Sequence, residues 1–188
     1  MKHTSSLKTV VLLMFVTLIG CNSHASHSLS DLSQFKTKAE FAIDNESKLL
    51  SSAIASIQQH PMHGPNYSWL TISFYPFNLT ADEIKGAENG NWDLIKKRMY
   101  EEDYNSHAKV ILTTDKDNNV LQIDISMPGS SCTIASSEYD INSFLEKYTY
   151  SDEKLTMKSS GSYECGAPVN KTFTWEFDID IPVFKKLK

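Results

Sequence analysis

The sequence predicts an α+β fold, a single domain dominated by antiparallel strands, with two or three short helices and one disulfide. Three observations lead to this class. Apolar and polar residues alternate with a period of two in several segments between residues 70 and 181, as expected of half-buried strands. Only short intervening stretches show helical spacing. Residues 34–188 contain no Pro/Gly-rich stretch or charge block that would divide them, and their length suits one domain.

The first element, within residues 39–58, is compatible with two structures. Phe41 and Ile43 alternate ahead of a polar turn at residues 44–46, which is typical of a hairpin. Four apolar residues also fit one helical face: Ile43, Leu50, Ile54 and Ile57. We favour the hairpin because the rest of the chain is rich in strands.

A strand and two helices are predicted next. Leu70, Ile72 and Phe74 alternate with polar residues up to Pro76. Thr80 and Glu83 have the spacing of a capping box, which predicts that a helix begins there. A second helix follows, with three apolar residues on one face: Trp92, Ile95 and Met99.

The clearest hairpin predicted from the sequence joins Val110 and Leu112 to the alternating residues 121–127 through the polar turn 115–119. Residues 139–147 place Ile141, Phe144 and Leu145 at helical spacing and predict one short helix.

The C-terminal segments are predicted to be strands. Residues 154–157 and 162–165 form a predicted strand pair, and residues 173–181 form the most regular strand of all, which we expect to stop at Pro182.

Two cysteines of this domain, Cys132 and Cys165, predict the disulfide. An even pair is most simply a disulfide if the chain is exported to an oxidising compartment. Closing this loop would stabilise the fold by about 3–4 kcal/mol on the chain-entropy model.

The N-terminus has the features of an export signal. Lys2 and Lys8 flank the apolar run VVLLMFVTLI, which is too short to cross a bilayer as a stable anchor. The run ends in Leu18-Ile19-Gly20-Cys21, which resembles the lipobox of bacterial lipoproteins at all of its positions.

The resemblance implies that residues 1–20 are a signal peptide, that cleavage precedes Cys21, and that Cys21 carries the lipid. It places the protein in the cell envelope, attached to the membrane through its anchor. Because Asn22 is not acidic, it also implies an outer-membrane location facing the periplasm if the host is Gram-negative. Residues 21–33 are polar and rich in serine, as expected of a flexible tether.

The charge of the mature chain excludes a nucleic-acid binder. Residues 1–20 hold two of the 18 basic residues and none of the 23 acidic ones, which leaves 16 against 23 and a formal charge of −7. A protein partner with a basic surface would suit such a chain. Glu176, Asp178 and Asp180 line one side of the last strand and are the candidate contacts, although such a row can also be a solvated face that discourages edge aggregation.

Other patterns point only weakly to chemistry, so we expect no catalytic residues, metal or cofactor. Residues 115–119 begin as a calcium loop but lack its glycine and glutamate, which favours a hairpin turn. His60 and His63 flank Pro61, which favours a loop. The Ser-x-x-Lys spacings at Ser33 and Ser151 lack the partner motifs of serine hydrolases. Three tyrosines could instead present ring faces to a glycan or a protein: Tyr148, Tyr150 and Tyr163.

These observations favour a non-enzymatic, envelope-anchored binding protein, most concretely an inhibitor or immunity-type protein for a toxin or hydrolase. Two alternatives stay open. One is a peptidoglycan- or glycan-binding module, or a weak cell-wall hydrolase that uses Glu or Asp. The other is a structural lipoprotein of the envelope.

Overall fold

Strands make up most of the described chain. The computed structural model describes residues 36–102, 106–151, 154–166 and 169–185, with the side chain of residue 185 left out. The predicted signal peptide, Cys21 and the tether lie outside these residues. The strands are β1 Lys36–Ile43, β2 Glu46–Leu50, β3 Ser52–Gln59, β4 Tyr67–Tyr75, β5 Ala108–Asp115, β6 Val120–Met127, β7 Ser130–Ala135, β8 Leu145–Tyr150, β9 Lys154–Cys165 and β10 Lys171–Lys185. The helices are α1 Ala81–Glu88 and α2 Asp93–Glu102, and a 3₁₀ turn spans Ile141–Phe144.

All ten strands belong to one hydrogen-bonded sheet that is organised around β10. The five-stranded half has the order β2-β1-β10-β9-β8, and the six-stranded half has the order β10-β3-β4-β5-β6-β7. Every pairing is antiparallel except that of β10 with β3. Because β10 belongs to both halves, it connects them within a single sheet.

β10 continues through Pro182, so the prediction that the strand stops there is wrong. Its antiparallel pairing with β9 ends at Pro182, and its parallel pairing with β3 starts at Val183. The proline, which cannot donate a backbone hydrogen bond, therefore lies where the strand changes partners.

Residues 36–50 form the hairpin that we favoured. β1 and β2 pair from Ala39 with Leu50 to Ile43 with Glu46. Asp44 and Asn45 connect them with φ angles of 50° and 72°, the signature of a two-residue type I′ turn. Asp and Asn tolerate this left-handed backbone better than other non-glycine residues do.

The two halves of the sheet pack against each other through aromatic side chains. Phe74 of β4 lies 5.0 Å from Phe41 of β1 and 5.2 Å from Phe177 of β10, measured between ring centroids. All three are at most 1% exposed. They lie in one buried cluster that draws residues from both halves, which is the main core.

β9 is one continuous strand, and the predicted pair of strands at residues 154–165 is therefore wrong. It runs beside β10 from Lys154 to Cys165 without interruption. Gly161 does not break it, because the rings of Trp175 and Phe144 lie directly over this glycine. Residues 158–161, which separated the two predicted strands, are therefore part of one strand.

The predicted helix at residues 139–147 is much shorter in the structure. Only Ile141–Phe144 form a 3₁₀ turn, and Leu145 already begins β8. Asp140 caps the turn by accepting a hydrogen bond from the N–H of Asn142.

The helix predicted from the capping box is confirmed. Thr80 accepts a hydrogen bond from the N–H of Glu83, and the Glu83 carboxylate accepts one from the N–H of Thr80 at 2.7 Å. Arg98 of α2 forms an ion pair with the same carboxylate, and this pair joins the two helices. The Cζ atom of Arg98 also lies 4.3 Å from the centroid of the Phe77 ring.

The helices pack on a second, smaller buried cluster, which includes Ile54, Tyr75 and Phe184. The predicted predominance of antiparallel strands, the short helices and the disulfide are all confirmed. The fold class needs correction, because a single sheet carrying two small helices is mostly β rather than α+β.

Candidate functional site

The acidic residues of β10 lie on the outer face of the five-stranded half. Glu176, Asp178 and Asp180 alternate along the strand with residues that are buried in the core. β10 has β1 on one side and β9 on the other. The row is therefore in the interior of the sheet, and the interpretation that it protects a sheet edge is wrong.

Each of these carboxylates has a lysine from a neighbouring strand beside it. Lys36 of β1 forms an ion pair with Asp178, and its hydrogen bond lowers the pKa of that carboxyl despite partial burial. The Nζ atom of Lys154 on β9 lies 2.9 Å from Oδ1 of Asp180. The Nζ atom of Lys38 on β1 lies 3.9 Å from Oε1 of Glu176, which is a looser contact. The row is thus part of a face of mixed charge.

We call this surface the charged face, and it crosses four strands. On β8, Glu146 accepts hydrogen bonds from Lys158 and from Ser160 at 3.1 Å, and the bond from Lys158 is the main reason that the Glu146 pKa is lowered. The charged face comprises Lys36, Lys38, Glu40, Glu146, Lys154, Lys158, Glu176, Asp178 and Asp180.

One spot on the charged face carries excess negative charge. Glu40 and Glu176 are direct cross-strand partners on β1 and β10. Glu40 accepts a hydrogen bond from Ser47, and within the described part of the chain Glu176 forms an ion pair only with Lys38, at 3.9 Å. Like charges placed directly opposite each other are unfavourable. This pair is therefore the part of the face best suited to receive a cationic group.

Sequence reasoning missed Glu40 and the lysines of the charged face. The signal in the sequence is the spacing of two between Lys36, Lys38 and Glu40, which places them on one side of a strand. This spacing does not show that the side adjoins the acidic row, because β1 and β10 are far apart in the sequence.

The predicted disulfide is confirmed between Cys132 of β7 and Cys165 of β9. Their Cα atoms are 5.9 Å apart, and 33 residues separate them in the sequence. The bond links the last strand of the six-stranded half to the five-stranded half. Lys171 reinforces the same connection by donating to the hydroxyl of Ser130 at 3.1 Å.

The residues that resemble a calcium loop form a hairpin turn, as predicted. The Asp115 carboxylate accepts hydrogen bonds from the N–H of Asp117 at 2.8 Å and from the N–H of Asn119 at 2.9 Å. Asn119 also donates its side-chain amide to the same carboxylate. These bonds lower the pKa of Asp115 and hold the turn closed.

His60 and His63 lie in a loop, as predicted, and the hydrogen bonds of His60 oppose metal binding. Its Nδ1 accepts from the backbone N–H groups of Met62 and His63, each at 3.1 Å. A neutral ring that accepts at Nδ1 carries its proton on Nε2, so it has no lone pair left for a metal. Across the described ranges, no group of three His, Cys, Asp or Glu side chains is arranged to hold a metal ion.

The remaining candidates have structural positions. Ser151 and Lys154 exchange backbone hydrogen bonds in the turn between β8 and β9, and the Lys154 ammonium binds Asp180. Ser33 lies outside the described residues.

The three tyrosines that could have presented ring faces are partly buried against the main core: Tyr148, Tyr150 and Tyr163. Burial raises the pKa of Tyr148 to about 12. A hydrogen bond with Tyr139 contributes most to raising the pKa of Tyr163 to about 12.

Two further findings concern membrane-spanning helices and the comparison with known proteins. In the part of the chain that the structure describes, no helix is long and apolar enough to cross a bilayer. Comparison with protein-family models, with curated proteins and with solved structures gives no match.

Proposed function

We propose that this chain is an envelope-anchored lipoprotein whose domain is a non-enzymatic binding protein, most concretely an inhibitor or immunity-type protein for a toxin or hydrolase. The observation that carries the proposal is the lipobox sequence Leu18-Ile19-Gly20-Cys21, followed by a polar tether and a disulfide-linked domain. An anchored domain on a tether is suited to meet a partner at the membrane surface.

The charged face is the surface that we assign to the partner. Most of its carboxylates are matched by lysines, so a uniformly basic partner would compete with existing ion pairs. A partner with alternating charges, and with one cationic group opposite Glu40 and Glu176, would be complementary to it. Such complementarity raises association rates and specificity more than affinity, and salt weakens it.

The test is a pull-down with the mature, lipid-bearing protein from envelope and secreted proteins, at low and at high salt. We expect a specific protein that is lost at high salt. The decisive variant is Glu176→Lys, because it places a cation where the partner's cationic group would lie. Like-charge contacts at an interface are strongly unfavourable, so capture should fall by about tenfold or more.

Glu101→Lys is the matched control. Glu101 of α2 is 61% exposed with Lys97 at 3.8 Å, whereas Glu176 is 64% exposed with Lys38 at 3.9 Å. The two substitutions change net charge equally, but only one lies on the charged face. Equal loss with both variants would contradict the assignment of the face, and salt-insensitive capture would contradict the role of charge.

The same experiment separates the alternatives. Retention on purified peptidoglycan, unchanged by Glu176→Lys, would favour the glycan-binding module. Failure to recover either a protein or a glycan would favour a structural lipoprotein.

The anchor has its own test. We expect Cys21→Ala to abolish incorporation of labelled palmitate and to release the protein from the membrane fraction. Unchanged fractionation of this variant would refute the lipid anchor while leaving the charged-face test intact.

A further inference from the structure

The His60 ring closes the loop of residues 60–66, which connects β3 to β4. Its Nδ1 accepts hydrogen bonds from the backbone N–H groups of Met62 and His63, each at 3.1 Å. At the base of the loop, the backbone N–H of His60 donates to the carbonyl oxygen of Tyr67 at 2.9 Å. The His60 side chain is buried, at 5% exposure. The Nδ1 lone pair thus accepts both hydrogen bonds at the start of the loop, while at its end the N–H of Tyr67 donates to the carbonyl oxygen of Gly64 at 3.3 Å.

The surroundings of His60 come from its own loop and from two strands. Its ring packs edge-on against Trp69 of β4, with 4.6 Å between centroids, and lies 4.2 Å from the ring of His63. His63 in turn lies 5.6 Å from the ring of Tyr67. From β6, the Asp124 carboxylate acts on His60 at longer range. The titratable groups around it are thus His63, Tyr67 and Asp124.

We propose that His60 is an acid-sensitive latch, and that protonation of its Nδ1 opens the loop of residues 60–66 and uncovers Trp69. The inference rests on the contacts of this loop alone, so it is independent of the proposed function.

Protonation conflicts with the hydrogen bonds of the ring, with its burial and with its contact to His63. A proton on Nδ1 would face two N–H donors, so both hydrogen bonds that close the turn would be lost. The cationic ring would also lie in a buried site 4.2 Å from a second imidazole. The Asp124 carboxylate favours the cation.

The sign of the pH dependence follows from these contacts. Burial and then His63 lower the pKa of His60 below its ordinary value of 6.5, and Asp124 only partly opposes them. In the open loop the ring is solvated and its pKa returns towards 6.5. The open loop therefore binds the proton more readily, and acid favours opening. The opening constant is the ratio of open to closed loop. With one coupled proton, it rises by up to about tenfold for each unit by which the pH falls between 6.5 and the lowered pKa of His60.

The test uses the full chain in detergent, labelled with ¹³C at its six histidines. Nuclear magnetic resonance gives the pKa of His60, and hydrogen exchange of the Met62 and His63 amides gives the opening constant after correction for the intrinsic pH dependence of exchange. We expect His60 to titrate below 6.5 and the logarithm of the opening constant to fall with pH at a slope near −1. Titration at or above 6.5, or a flat opening constant, would overturn the proposal.

Two variants separate the latch from general acid instability. His60→Asn keeps an oxygen acceptor for the same N–H groups but cannot titrate, so its opening constant should be independent of pH. His63→Gln removes the neighbouring imidazole, so the pKa of His60 should rise and acid opening should level off at a higher pH. If His60→Asn opened with the same pH slope as the native chain, the latch would be refuted. If His60→Asn does not fold, the direction of the His63→Gln shift decides.

Discussion

Replacing Gly161 with alanine should destabilise the fold, because the space that a Cβ atom needs is filled. A Cβ built at Gly161 would lie 2.5 Å from Cζ2 and 2.8 Å from Cη2 of Trp175, and 2.7 Å from Cδ1 of Phe144. Carbon atoms in contact settle at about 3.5–4.0 Å. The Trp175 ring would therefore have to retreat by about 1 Å.

The Trp175 ring has little freedom to move. It is 4% exposed, and its Nε1–H donates to the hydroxyl of Ser159 at 2.9 Å. Ser159 in turn donates to the carbonyl oxygen of Phe144 at 2.7 Å. Overpacking of a core costs about 1–3 kcal/mol, and a lost buried hydrogen bond costs about 0.5–1.5 kcal/mol. Alanine recovers about 0.4–1 kcal/mol by restricting the unfolded chain, so the net loss lies between about 0.5 and 4 kcal/mol, with a central value of about 2 kcal/mol.

The measurement is urea or thermal unfolding with the disulfide intact. For a domain of this size, a loss of about 2 kcal/mol corresponds to a decrease in Tm of about 4–8 °C. Gly166→Ala is the matched control, since no heavy atom lies within 4 Å of a Cβ at that position. We expect the control to unfold at the native midpoint or slightly above it.

A double-mutant cycle separates the contribution of the indole ring from that of Phe144. Trp175→Phe removes two of the three atoms that a Cβ at position 161 would meet, and the contact with Cδ1 of Phe144 at 2.7 Å remains, so Gly161→Ala should cost less in that background. A cost of Gly161→Ala as small as that of Gly166→Ala would refute the explanation based on steric conflict. An equal cost with and without the indole would refute the part assigned to Trp175.

Three other perturbations follow from the structure. The double variant Cys132→Ser/Cys165→Ser should lose about 3–4 kcal/mol of unfolding free energy in denaturant titrations, because its unfolded chain is no longer restrained; an unchanged midpoint would contradict this. Thr80→Ala should lose about 1 kcal/mol through the missing helix cap, whereas Thr80→Ser should stay close to the native value in the same titration. Asp178 has a lowered pKa, so it stabilises the fold above its ordinary value of 3.8 and loses this effect as the pH falls. Asp178→Asn should therefore make the unfolding free energy less dependent on pH below about 4, and an unchanged acid limb would count against the ion pair.

The features that sequence reasoning predicted correctly depend on residues close together in the chain. The hairpin of β5 and β6 was visible because its turn and both alternating segments lie within residues 108–127. The first turn of α1 was visible because the capping box needs only Thr80 and Glu83. In each case the local pattern and the tertiary structure agree.

The failures arise where distant residues override the local pattern. The sequence prediction separated strands 154–157 and 162–165 at residues 158–161, yet Trp175 and Phe144 fill the space above Gly161 and β9 continues. Pro182 reads as the end of a strand, yet it lies where β10 passes from β9 to β3. Neither outcome can be inferred without knowing which strands are neighbours.

The candidate site was predicted only in part, for the same reason. The period of two correctly placed Glu176, Asp178 and Asp180 on one side of a strand. The lysines that neutralise this row belong to β1 and β9, so the sequence suggested an acidic surface where the structure has a mixed one. That the negative charges of Glu40 and Glu176 lie directly opposite each other follows only from the register of β1 against β10.

The central position of β10 has a consequence for the order of folding. Of the ten strands in the described residues, β10 is made after the other nine, yet it separates β1 from β9 and provides the parallel neighbour of β3. Hairpins such as β1 with β2 can form early, but neither half of the sheet is complete until residues 171–185 are available. Contacts between such distant segments make folding slow. A growing chain with this topology therefore cannot complete its sheet before residues 171–185 have been made, and until then it can still be threaded through a narrow channel.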